Sequence, residues 1–120
     1  MVIKTTVEIS EMDDKDRENE MNKIFGELFN KKPEEIVEEL ESMITDMRKA
    51  TDDNYLKLCL TNLGITSNLS DEKLKDFVSL RLKANSRLPD YIKNRDMQIL
   101  QKAIKQAPAE IRDRVLKFMK

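Results

Sequence analysis

The 120-residue chain has no histidine, no tryptophan, one cysteine, two glycines and three prolines. Each scarcity removes a class of chemistry. Without histidine there is no ordinary general base near neutral pH, no histidine-based triad and no imidazole metal ligand. Cys59 alone forms neither an internal disulfide nor a cysteine-built zinc site, which points to a reducing setting and a cytoplasmic location. So little Gly and Pro fits a collagenous or turn-rich all-β chain poorly. No apolar run approaches the roughly eighteen residues of a membrane span, and the opening Met1–Thr6 lacks the apolar stretch of a signal peptide. No nucleotide loop, metal spacing or cofactor box is present. Catalytic, cofactor-binding and metal residues are therefore all assigned as none, and a non-enzymatic role is expected.

Charge is what the chain has in quantity: 38% of residues are Asp, Glu, Lys or Arg, against 39% hydrophobic. The net charge of −1 hides an asymmetry, because residues 1–60 hold 9 Lys/Arg and 16 Asp/Glu while residues 61–120 hold 13 and 7. The length suits one domain burying roughly 65% of its unfolded surface. Within it the sequence divides into an acidic N-terminal arm (1–20), an acidic helical half (21–66) and a basic helical half (67–120). Either the halves neutralise each other or the basic one faces an anionic partner.

Hydrophobic periodicity predicts an all-α, compact single-domain bundle of five to six short helices. Residues 2–9 alternate in β-branched side chains and read as a weak extended arm, frayed or paired with another chain. Residues 11–20 are mostly acidic and solvated. Met21, Ile24, Phe25, Leu28 and Phe29 form one helical stripe; Ile36, Leu40, Met43, Ile44 and Met47 form the next, over about 33–50 behind Pro33. Leu56, Cys59, Leu60 and Leu63 share the face of a third helix, with Gly64 read as its left-handed stop. Ser70 caps a fourth over about 71–85, Pro89 opens a fifth and Pro108 a sixth. No internal repeat of fixed period is evident.

Several constellations fail on inspection. An EF-hand register beginning at Asp16 puts Met21 where glycine is needed, and a di-iron bundle requires absent histidines. Cys59 reads as a buried structural thiol, and Met43 and Met47 as core or as an adaptable groove. Asp96 falls inside an apolar arc and should meet a cation, Arg81 or Arg112. Two surfaces stand out. Glu34, Glu35, Glu38 and Glu39 form like-charged pairs that suit a basic partner. Arg95, Gln98, Lys102 and Lys105, with Arg112, Arg114 and Lys117, form a cation-and-amide track suited to phosphate and base edges. The expectation is a protein-binding module: adaptor, inhibitor or regulatory subunit. Nucleic-acid binding through the basic half is the alternative, a homo-oligomer is a third arrangement, and no membrane is involved.

Overall fold

A computed structural model describes residues 5–119. Seven α-helices run in the order α1 (Thr6–Ser10), α2 (Asp14–Leu28), α3 (Pro33–Asp46), α4 (Asp52–Thr66), α5 (Asp71–Ser86), α6 (Asp90–Gln106) and α7 (Ala109–Phe118), with a 3₁₀ turn over Met47–Lys49 after α3. No strand occurs among the described residues.

The largest departure from expectation is at the start. Residues 2–4 lie outside the described residues, but Thr5–Ser10 is not an extended arm. Thr5 Oγ1 accepts from the Glu8 backbone N–H at 3.2 Å, and Glu8 Oε1 accepts from the Thr5 N–H at 3.4 Å. This reciprocal box satisfies two donors that a helix start otherwise leaves open, and it overrides the extended preference of the β-branched residues. The resulting turn buries Ile9, and Thr6 Oγ1 donates to the Met43 carbonyl at 3.2 Å, tying α1 to α3. Helix α2 likewise starts earlier than its apolar stripe, because Asp13 caps it by accepting from the Asp16 N–H at 2.9 Å.

Gly64 does not stop its helix. No described residue has a positive φ, and α4 continues through Gly64 to Thr66.

The expectation of no internal repeat is also overturned. Helices α2 to α7 begin at residues 14, 33, 52, 71, 90 and 109, a constant step of nineteen. Equivalent positions share burial rather than residue type. Fourth in the first four units come Arg17, Ile36, Tyr55 and Leu74, all buried, with half-buried Lys93 and Arg112 in the last two; fifteenth come Leu28, Met47, Thr66, Asn85 and Ile104, again all buried. Alternate helices make the main contacts: α2 against α4 and α4 against α6 in one column, α3 against α5 and α5 against α7 in the other. Helix α1 closes the beginning by packing on α4 and α2. Each unit thus buries its apolar stripe on the unit two places away, as stacked repeats do. The stack stays compact, with extents of 35 × 31 × 31 Å.

Candidate functional site

The repeat explains where much of the predicted basic track goes. Arg95, on α6, donates to the carbonyls of Met47 at 2.8 Å and Ala50 at 2.7 Å, and to Asp52 Oδ1 at 2.8 Å. Nineteen residues later Arg114, on α7, donates to Ser67 O at 2.7 Å, Leu69 O at 2.9 Å and Asp71 Oδ1 at 2.8 Å. Each guanidinium fork gathers carbonyls at one helix end and the carboxylate beginning the next, a geometry that a lysine ammonium cannot reproduce. Arg95 also lies over the Tyr55 ring, 5.1 Å from its centroid. Of the other track residues, Gln98, Lys102, Lys105 and Lys117 are exposed, with Lys117 Nζ over the Phe118 ring, while half-buried Arg112 stands 3.6 Å from Asp113. The structure therefore separates the track into two structural clamps and a sparser set of surface cations.

The acidic cluster is similarly engaged. Arg87 reaches Glu34 at 2.9 Å and Glu41 at 2.8 Å, and Lys83 lies 3.7 Å from Glu34. Hydrogen bonding from Arg87, reinforced by its charge, holds the Glu34 carboxyl below its ordinary pKa. Glu39 pairs with Lys31, whose ammonium it shifts upward by hydrogen bonding, and Glu35 accepts from the Lys32 backbone N–H at 3.2 Å. Glu38 is exposed. Acidic first half and basic second half thus meet across α3 and α5.

A buried polar centre lies between α4, α5 and α6. Asp96, 0% exposed, receives both arms of Arg81 at 2.7 Å, Asn85 Nδ2 at 2.8 Å and the Tyr55 hydroxyl. Arg81 is one of the two cations expected there, whereas nothing in the local sequence points to Tyr55 or Asn85. Burial works to raise the Asp96 pKa, but the Arg81 hydrogen bonds and charge, aided by Tyr55 and Asn85, outweigh it and hold the carboxyl below its ordinary range. Burial and then the Asp96 charge push the Tyr55 hydroxyl upward. Burial also pushes the Cys59 thiol up to about 12, so it is an inert buried thiol as expected.

Beside this centre is a cavity of about 90 Å³, walled mainly by Leu, Ile, Met, Phe and Val, which Tyr55, Cys59, Asn62 and Arg81 also line.

The second concavity is an open groove of about 500 Å³ where the α2–α3 corner faces α5. Phe29, Pro33, Ile36, Leu69, Phe77 and Leu80 give it an apolar lining, and Lys73, Asp76 and Ser79 stand along it. Phe29 remains 39% exposed although its ring meets Phe77 edge-on at 5.7 Å and stacks on Phe25 at 5.6 Å. Periodicity places Phe29 and Phe77 on inward stripes. What it does not carry is that α2 ends at Leu28, so Phe29 sits at the corner rather than under a neighbouring helix. Among the described residues there is no cluster of acidic and cysteine side chains able to hold a metal ion, and no helix is long and apolar enough to cross a membrane.

Fold and surfaces together define an all-α protein built by stacking single-helix units. Comparison with known proteins gives no match to a family model, to a curated protein or to a solved structure.

Proposed function

We propose that the chain is a non-enzymatic protein-binding module whose contact surface is the groove between the α2–α3 corner and α5. The observation supporting this most directly is the groove itself, an open apolar trough between the α2–α3 corner and α5. The trough suits the apolar stripe of an amphipathic helix, with Phe29 and Phe77 as anchors and Lys73 and Asp76 offering one charge of each sign to the partner's polar edge. The engagement of Arg95 and Arg114 with backbone carbonyls favours this reading over a nucleic-acid track, since it leaves fewer cations for phosphates.

The test places a photoreactive residue at Ser79 and cross-links in the cells that make the protein. One defined protein adduct, lost on Phe29→Ser, is expected; adducts only to a second copy of the chain would make the groove a self-association surface and overturn the adaptor reading. In parallel, labelled DNA and RNA are titrated at about 0.15 M salt, where binding tighter than about 10⁻⁶ M exceeds purely non-specific attraction. Such binding, abolished by changing Lys102, Lys105 and Lys117 to Gln, would replace the proposal with the nucleic-acid alternative.

A further inference from the structure

The cavity beside the buried polar centre carries an inference independent of the groove. Its wall is apolar except at a few positions, and one of these is left incomplete: the Asn62 side-chain oxygen is sealed from solvent and has no hydrogen-bond partner. A buried acceptor without a donor is an expensive feature, normally relieved by a water or a ligand. Thr6, Tyr55 and Thr66 also line the cavity, but their hydroxyl protons are already donated to Met43 O, Asp96 and Asn62 O, so a water at Asn62 Oδ1 would find few of the two to four open partners it needs. Arg81 also lines the cavity, and its bidentate contact with Asp96 uses two of its five N–H groups. The Arg81–Asp96 pair is neutral overall, so an anion gains no net charge attraction here, and the Asn62 oxygen would repel one.

We infer that this cavity is a binding site for a small neutral alcohol or phenol, whose hydroxyl donates to Asn62 Oδ1 while its apolar body fills the space between the two helix columns. The volume of about 90 Å³ restricts the body to a single small ring or short branched chain. It is below the roughly 150 Å³ of a cavity known to admit benzene, so entry relies on yielding side chains. Met43, Met47 and Met119 in the wall supply them, because thioether chains rearrange at little cost. Phe77 lines both cavity and groove and is the partition between them.

The experiment titrates the full chain, labelled at its methionine and leucine methyl groups, with phenol, with toluene as its near-isostere lacking the hydroxyl, and with benzoate. Saturable shifts at Met43, Met47 and Met119 are expected for phenol, at about tenfold lower concentration than for toluene, with benzoate weakest. Asn62→Leu should bring phenol to the level of toluene while leaving toluene unchanged or improved. Val78→Phe, which fills the cavity, should abolish both; if that chain does not fold, Cys59→Met serves the same purpose. The inference fails if phenol gives no saturable shift at these methyl groups, if toluene binds equally well, or if Asn62→Leu leaves phenol binding intact. Shifts confined to residues of the groove, such as Leu69 and Leu80, would also overturn it.

Discussion

At the residue scale the decisive group is Asp96. Its ion pair with Arg81 is surrounded by hydrogen bonds that complete it, so removing one partner strands the other in a low-dielectric interior. Asp96→Ala is expected to cost about 3–5 kcal/mol in urea unfolding. The double change Arg81→Met with Asp96→Leu should cost less than the sum of the single changes, since no lone buried charge remains. The pair also sets the acid behaviour. A carboxyl held below its ordinary value of 3.8 contributes stability above that pH and loses it as pH falls through the lower folded value. On the alkaline side the sign reverses. The Cys59 thiol, raised from 9.0 to about 12, contributes fully below pH 9.0, and its share is lost as pH rises toward 12. Unfolding midpoints measured across pH should therefore decline from about 9 upward, and Cys59→Ala should remove part of that decline. An acidic residue on an apolar arc already implied a cation partner in the sequence. The tyrosine and asparagine were not legible, because they arrive from α4 and α5 at positions fixed by stacking rather than by local pattern.

Individual helices were legible where a cap coincides with the start of an apolar stripe. Pro33, Ser70, Pro89 and Pro108 each mark a start within a residue of the observed one. Elsewhere two local signals compete, and the stronger one decides the backbone. Thr5 and Glu8 already form a capping-box spacing, yet the alternation of Thr5, Val7 and Ile9 suggested extended backbone. Burial of Ile9, 1% exposed, gives the short α1 an energetic role. Ile9→Ala should accordingly destabilise by about 2–5 kcal/mol in chemical unfolding, an effect that a frayed arm would not produce. Glycine often ends helices, which is why Gly64 reads as a stop in the sequence, but with no left-handed φ to adopt it is an ordinary interior residue. A β-carbon at Gly64 or Gly26 would meet nothing within 4 Å. Gly26→Ala and Gly64→Ala should each raise stability by about 0.5–1 kcal/mol, readable as an upward shift of the melting temperature.

For the whole molecule, the all-α class follows from the scarcity of Gly and Pro and from the helical stripes, and the structure bears it out with seven helices rather than five or six. The nineteen-residue step is not legible in the sequence because Arg17, Ile36, Tyr55 and Leu74 have nothing in common as letters. What they share is a place in the stack, which only the fold reveals. The charge asymmetry resolves the same way. Glu34 and Asp52 from the first half meet Arg87 and Arg95 from the second, so the two halves are joined electrostatically as well as by packing. The groove and the cavity had no local signature, since each is lined by helices distant in sequence.

The constant step also bears on how the chain reaches this state. From α2 onward, helices that pair two places apart always begin thirty-eight residues apart, whichever pair is chosen. Loop-closure entropy depends on the length closed, so connectivity favours no pair over another as the first to form. Side-chain content then decides the folding nucleus, and α4 with α6 has the most extensive contact together with the Arg95 fork. Stopped-flow refolding and unfolding of Leu58→Ala and Ile99→Val should give higher φ-values than those of Phe25→Leu or Val115→Ala at the two ends of the stack.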